Sequence, residues 1–301
     1  MSIIIAIDLG SNSLGILKYD CVKKEPIDSC SFVVRTASSL VNRGIIDDGV
    51  ISRIVDAINS AKDRLNFSNC RVKAVTTEAM RVAKNSKEAI GKIKDITDVE
   101  FEIISPKEEA ELTFLAVKNR LDIMGINRDF IALDIGGGST ELTFYIDGKL
   151  STKSFKIGIV TIVSEVKDVS QLEQIIEEKS APIANFVKGF NCDNLEFIAT
   201  AGTPTTVAAL KHNLNYKSYD AKVVNGTKLT IDELNYYLDK LLNMSKPQRE
   251  VAVGVGREDL IIAGILIYKQ IYKILSKHSS IVVDDSLREG VAISECKRLK
   301  I

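Results

Sequence analysis

IAIDLGSNSLGILKY, from Ile5 to Tyr19, and IALDIGGGSTELTFY, from Ile131 to Tyr145, decide the reading of this chain. A shift of 126 residues superposes them with six of fifteen positions identical, among them Asp8 with Asp134, Gly10 with Gly136 and Ser13 with Ser139. Each stretch is an apolar run that ends in a carboxylate, turns through small residues and resumes as a second apolar run. That is a strand, tight turn, strand pattern. A repeat at this distance predicts two similar α/β domains in tandem, residues 1–125 and 126–301, each opening with a β-hairpin.

The rest of the chain fits alternating strands and helices. Phe32 to Arg35, Val72 to Thr76 and Phe101 to Ile104 are strand-like, and Val50 to Leu65 has a helical apolar period. Glu78 to Val82, Glu88 to Ile96 and Glu108 to Leu121 are expected helices. In the second half, Ser170 to Val187, Thr205 to Leu210, Arg257 to Leu275 and Leu287 to Leu299 are expected helices. Phe197 to Thr200 and Ile281 to Val283 are expected strands, and Lys211 to Asn225 a loop. Thr230 and Glu233 form a capping box for a helix through Leu242.

Length and composition allow two cores: 301 residues, 45% apolar. The 40 basic residues cancel the 40 acidic ones, so no global field draws in nucleic acid or an anionic membrane, and neither is an expected partner. Positive charge that meets an anionic ligand must be local. Five cysteines without a CxxC or Cys/His cluster argue against a zinc site or a disulfide framework and for reduced thiols. No signal peptide is visible, and the apolar run Leu260 to Tyr268 is too short to span a bilayer. The expected location is cytoplasmic.

The turns carry the chemistry. A carboxylate at the end of a buried strand is costly unless it holds a metal or caps a turn, which makes Asp8 and Asp134 candidates. Small residues after it let backbone N–H groups approach an anion: Ser11, Asn12 and Ser13 in one turn, Gly136, Gly137, Gly138, Ser139 and Thr140 in the other. No Lys-Ser/Thr follows the glycines, so neither is a Walker A loop. The strand returns as a hairpin, so neither is a dinucleotide fingerprint. Asp134 and Glu141 are a candidate Mg²⁺ pair, with Asp8 a third candidate.

In ISPKEEAELTFLAV, from Ile104, Ser105 is a natural N-cap and Glu108 a capping-box acid. Glu109 lacks that structural duty and is the candidate general base. Arg81, in TTEAMRVAKN, is a candidate phosphate fork. ATAGTPTTVAAL, from Ala199, places Gly202 and Thr203 at a helix N-terminus suited to an anion. The chain has only two histidines, His212 and His278, and no GxSxG motif. Histidine-based hydrolysis is therefore excluded.

In order and across nearly the whole chain, these motifs resemble the exopolyphosphatase and guanosine pentaphosphatase family. The matching stretches are IDLGSNS, VRT, TTEAMRVAKN, ISPKEEAEL, DIGGGSTEL, TAGTPTT, REDLIIAG and LREG. The resemblance implies two actin-like (ribonuclease H-like) domains with a cleft between them and the last helix packing back toward the first. It also implies Mg²⁺ as cofactor and inorganic polyphosphate or guanosine penta- or tetraphosphate as ligand. Glu109 matches the glutamate that activates water, Asp134 and Glu141 the metal acids, Arg81 a phosphate arginine, and the two turns the phosphate loops. A homodimer is carried as an expectation.

The chain departs from the family pattern at Leu14-Gly15, where a basic residue commonly follows the first turn. TASSLVNRG, from Thr36, replaces an acidic, Gly-rich stretch. Pro106 and Ser286 stand where Gly is usual. Two rival readings remain: a small-molecule kinase of the same superfold, for which no acceptor-activating motif is present, and a non-hydrolytic guanosine tetra- or pentaphosphate sensor.

Overall fold

The computed structural model describes residues 2–166 and 169–301. The chain divides into two compact units: residues up to Ala116 together with Asp285–Ile301, and Val117–Asp284. The sequence reading put the boundary at 125/126. The structure puts it inside the helix Pro106–Ile123 and assigns the terminal helix Leu287–Arg298 to the first unit.

The first unit holds strands β1 (Ile3–Leu9), β2 (Ser13–Asp20), β3 (Glu25–Val33), β4 (Arg71–Thr76) and β5 (Phe101–Ile103), in sheet order β3-β2-β1-β4-β5. β1 runs antiparallel to β2 and parallel to β4. Side chains alternate across a strand, and β1 shows why both faces must be covered. Ile5, Ile7 and Leu9 enter a core shared with Val50, Ile54, Ile58, Ala89 and Ile93, which come from the helices Asp48–Leu65 and Ser86–Thr97. Ile4 and Ala6 enter another core with Leu17, Tyr19, Leu287, Val291 and Ile293, with Leu112 and Leu115 packed on it. Each such fully buried Ile or Leu contributes about 1.5–3 kcal/mol. The same period of two puts Asp8 on the face of Ile4 and Ala6.

The second unit holds β6 (Phe130–Ile135), β7 (Thr140–Ile146), β8 (Lys149–Phe155), β9 (Glu196–Thr200), β10 (Lys228–Thr230) and β11 (Ser279–Val282), in order β10-β11-β9-β6-β7-β8. Read from β8, the run β8-β7-β6-β9-β11 repeats the first unit's order and adds an antiparallel edge strand, β10. Both units are actin-like α/β domains. The helix Ile261–Leu275 is apolar enough to be buried along most of its length. Its polar exceptions are satisfied: the Tyr272 hydroxyl donates to the Leu229 carbonyl at 2.8 Å and pairs with Ser280 Oγ at 2.6 Å.

Several local expectations are corrected. β3 begins at Glu25, where the side chains are exposed and carry no apolar period. Arg35 lies outside the strand, in the left-handed region at φ 50°. The polar stretch KLSTKSF is edge strand β8. The expected helix from Ser170 is interrupted, with Leu172–Lys179 and Ala181–Val187 meeting at Ser180. Pro182 lacks the N–H that a continuous helix needs there. The helix expected from Arg257 starts at Ile261, and a short helix, Ala221–Val224, lies in the expected loop. No helix among the described residues is long and apolar enough to cross a membrane.

The expectation of reduced thiols is also overturned: Cys21 and Cys296 form a disulfide with Cα atoms 5.4 Å apart. Spacing could not show this, because the partners are 275 residues apart in sequence. They meet only because Leu287–Arg298 packs against the end of β2. Glu295, the neighbour of Cys296, is ion-paired with Arg71, which begins β4, and with Arg298 at 2.7 Å. Gly290 completes the fit, since a Cβ there would lie 2.0 Å from the Leu112 carbonyl.

Cys296→Ser, or dithiothreitol on the wild type, should lower unfolding free energy by about 2–5 kcal/mol. Urea titration followed by circular dichroism measures this. Equal midpoints with and without reductant would show that the bridge adds no stability.

Candidate functional site

In the first unit, three parallel strands end side by side. Asp8 pairs in register with Val75, and Thr76 with Ile103. The GSNS turn, the short helix Glu78–Val82 and the helix Pro106–Ile123 all leave from this edge. Ligands of open α/β sheets gather at such carboxyl-terminal edges. Thr76 ties the edge together, donating its hydroxyl to the Leu9 carbonyl at 2.9 Å and accepting the Ile104 N–H at 3.1 Å.

Ser105 caps the helix as its sequence implied, its hydroxyl accepting the Glu108 N–H at 3.2 Å. That leaves Glu109 pointing elsewhere, and Arg81 meets it: Nη1 donates to Glu109 Oε2 at 2.8 Å and to the Ile104 carbonyl at 2.8 Å. Nη2 donates to Glu78 Oε2 at 3.2 Å. Two candidates from the sequence are thus brought together, but with a different division of labour. Arg81 is engaged by two carboxylates and a carbonyl, so it orients Glu109. Burial pushes the Glu109 carboxyl up, Arg81 and a Thr77 hydrogen bond pull it down, and the Glu78 charge adds to the rise. The net shift is upward, which suits a group that must hold a proton in passing.

Asp8 is more extreme. Its Oδ1 is sealed from solvent without a hydrogen-bond partner. Burial, then the Glu109 charge, pushes its carboxyl up to about 7, against the pull of Arg288 and with a further push from Glu289. Asn12 Oδ1 and Thr36 Oγ1 are likewise buried without a partner. Asn12 is in the turn, and Thr36 follows Arg35, whose N–H donates to the Asn12 carbonyl at 2.8 Å. Three of the five such atoms among the described residues therefore sit at this one turn. Native proteins satisfy nearly all buried polar groups, so the cluster points to a ligand, ion or water there. The Ser11 carbonyl accepts the Ala37 N–H at 2.9 Å, and Ser13 opens β2 opposite Val33.

Sequence reasoning missed Arg288, Glu289 and the role of Gly15. A Cβ at Gly15 would lie 3.3 Å from Arg288 Cδ. Arg288 Nε donates to Glu289 Oε1 at 2.7 Å, and Glu289 Oε2 accepts the Ser286 N–H at 2.9 Å. The S-x-x-E spacing of Ser286 and Glu289 was a capping-box signal in the sequence. Only the fold shows that this helix start lies beside Asp8.

In the second unit, Asp134 and Glu141 are direct cross-strand partners, so their side chains share one face a few ångströms apart. Glu141 is buried and accepts the Ser154 hydroxyl at 2.5 Å. Two hard carboxylates are a donor set that Mg²⁺ completes with waters and phosphate oxygens, so the residues present fit the expected ion. Among the described residues no group of three or more His, Cys, Asp or Glu side chains forms a metal cluster. Asp8 lies in the first unit, with Glu109, Arg288 and Glu289 as its charged surroundings.

The GGGS turn is clamped from behind. Ile159 and Val160 donate N–H groups to the Gly136 and Gly137 carbonyls at 3.0 and 2.8 Å, and Gly136 N–H donates to the Ser139 carbonyl at 2.9 Å. A Cβ on Gly158 would fall 2.4 Å from the Gly137 carbonyl oxygen. The glycines thus serve close backbone approach rather than a left-handed turn. The Thr140 hydroxyl donates to the Ile157 carbonyl at 2.5 Å, and Thr203 packs its side chain against Gly264. The Thr140 hydroxyl is thus spent on a backbone carbonyl, and Thr203 contributes to the helix start through its backbone. Gly202 opens its helix next to Asp134, since Asp134 pairs with Thr200. The preceding Ala201 takes φ 71°, ψ −172°, a glycine-like conformation that costs about 1–3 kcal/mol and clusters at functional sites.

The model of the Ppx/GppA phosphatase family matches residues 20–299. Exopolyphosphatase 2 of Mycobacterium tuberculosis is 25% identical over 96% of this chain and 97% of its own length. The bifunctional 3-dehydroquinate synthase/phosphatase of Fusobacterium nucleatum is 26% identical over 96% of this chain, which spans only 46% of that longer protein. The solved structure of the Aquifex aeolicus Ppx/GppA family member has 27% identity and a TM-score of 0.76, over 99% of both chains.

Asp8 gives a stability signature. A folded-state pKa above the unfolded one means the folded chain binds the extra proton. Its contribution is full below about pH 4 and is lost as pH rises through about 7. In metal-free buffer, Asp8→Asn should gain on the wild type between pH 5 and 8, by up to about 4 kcal/mol. A pH-independent difference in denaturation midpoints would mean that Asp8 titrates as an ordinary carboxylate.

Proposed function

Because the chain belongs to the Ppx/GppA phosphatase family, we propose that it hydrolyses the terminal phosphoric anhydride of inorganic polyphosphate or of guanosine pentaphosphate, with Mg²⁺, releasing orthophosphate. The observation that carries this reading is Glu109: a carboxylate raised by burial, aimed by Arg81 and set at the strand edge beside the unsatisfied first turn. Polyphosphate as a substrate rests on relatives named as exopolyphosphatases.

In this reading, water attacks the terminal phosphorus in line. The new P–O bond forms as the bridging P–O bond breaks. Glu109 accepts the water's proton, and the shortened polyphosphate or nucleotide departs with the bridging oxygen and the bond's electron pair. Arg81 keeps the Glu109 carboxylate in one orientation, so little reorganisation is needed at the moment of attack. In the first unit, Ser11, Asn12 and Ser13 hold phosphate oxygens. In the second, Gly136, Gly137, Gly138 and Ser139 do so, with the backbone at Gly202 and Thr203. Asp134 and Glu141 would hold Mg²⁺, which when bound would supply neutralisation of phosphate charge. One rival is a guanosine tetra- or pentaphosphate binder without turnover, kept open by Leu14-Gly15 standing where a basic residue commonly follows the first turn.

Phosphate release from both substrates, with and without Mg²⁺, separates these readings; tight binding with no release supports the binder. Glu109→Gln should cut turnover by about 10²- to 10⁴-fold while affinity stays nearly intact. An unchanged rate removes Glu109 from the chemistry. Arg81→Gln removes the influence that lowers the Glu109 pKa, so the acidic limb of the pH–rate profile should move to higher pH. A limb that stays put, or moves down, means Arg81 does not tune the base.

A further inference from the structure

We infer that Glu78 is a positioning residue of the hydrolytic site, anchoring one edge of the Arg81 guanidinium so that the other edge holds Glu109 in a single orientation; this deepens the phosphohydrolase reading and rests on it. An arginine that aims a carboxylate has to be held itself. Its long side chain turns about several bonds, and a single contact fixes neither the plane of the guanidinium nor its direction.

Arg81 is held at two edges. Nε and Nη2 both donate to Glu78 Oε2, at 3.3 and 3.2 Å. On the far side, Nη1 donates to the Ile104 carbonyl and to Glu109 Oε2, each at 2.8 Å. Ile104 is itself fixed, its N–H donating to the Thr76 carbonyl at 3.1 Å. With Glu78 and Ile104 setting the plane, the Nη1 hydrogen left for Glu109 points one way. A base, the group that orients it and a third group that orients the orienter form a recurring arrangement in catalysis.

The local sequence explains why Glu78 can take that third place. Glu78 and Arg81 are an i,i+3 pair on the helix Glu78–Val82, so they share a face. Ala79 and Met80 are buried, Met80 in the core that also holds Ile5 and Ile7. The Arg81 N–H donates to the Thr77 carbonyl at 3.0 Å, and the Thr77 N–H donates to the Leu9 carbonyl at 3.4 Å. The anchor therefore stands on backbone tied to the strand that carries Asp8. Side-chain exposure is 25% for Glu78, 14% for Arg81 and 16% for Glu109. Water competes weakly for such groups, which sets this trio apart from surface pairs that contribute little.

The test is phosphate release from inorganic tripolyphosphate and from guanosine pentaphosphate with Mg²⁺, together with solvent exchange of the Arg81 Nε–H by ¹⁵N NMR, assigned by its loss in Arg81→Gln. Glu78→Ala should lower kcat by about 10-fold at nearly constant KM, because the base is misaimed while substrate contacts remain. The Nε–H should exchange about 10-fold faster. Glu78→Gln keeps the length and an acceptor oxygen, so it should restore most of both, which loss of general helix stability would not predict. Wild-type kcat, or wild-type Nε–H exchange, in folded Glu78→Ala overturns the proposal. So does a raised KM at unchanged kcat, which would place Glu78 behind substrate binding. A Glu78→Gln variant as slow as Glu78→Ala also overturns it, by assigning the effect to charge alone. Should Glu78→Ala fail to fold, Arg81→Lys decides, since it keeps the charge but has no fork to span both anchors: lower kcat at constant KM supports the proposal, and wild-type kcat overturns it. A wild type that releases phosphate from neither substrate removes the hydrolase reading, and the Nε–H comparison still decides whether Glu78 holds Arg81.

Discussion

A carboxylate at the end of a buried strand has to be compensated, and much of the first unit is organised around that requirement at Asp8. The strand's alternation fixes which face the side chain takes, the face of Ile4 and Ala6. That face is covered by two helix starts, one bearing Glu109 and the other Arg288 and Glu289. Desolvation therefore falls on Asp8 together with two further negative charges and one positive charge. Geometry that follows from apolar packing thus gathers the titratable groups in one place.

The two units use one strand order for two electrostatic tasks. The second hairpin sets acid against acid, Asp134 opposite Glu141, and leaves the glycine turn to be braced by the N–H groups of Ile159 and Val160. The first sets acid against glycine and borrows an arginine through the gap. A duplicated backbone constrains where chemistry can sit, while single side chains decide its sign.

Both hairpins and the capping role of Ser105 were legible in the sequence, because each depends on neighbours within a few residues. The repeat itself revealed the tandem architecture. The partners of the candidate residues were not legible. Nothing local shows that Glu78 and Glu109 converge on Arg81. The partner of the Thr140 hydroxyl, the Ile157 carbonyl, lies 17 residues away and was invisible locally. β3 and β8 were missed in part because edge strands carry little apolar alternation. The terminal helix was legible as a helix, but its destination depends on contacts with residues nearly the whole chain away.

The bond between Cys21 and Cys296 closes most of the polypeptide into a ring. The entire second unit lies within that ring, since residues 117 to 284 fall between the two sulfur-bearing positions. A backbone cut anywhere inside it leaves both fragments in one covalent molecule while the bridge is oxidised. Limited proteolysis read by non-reducing electrophoresis therefore shows a single band where the reduced sample shows two.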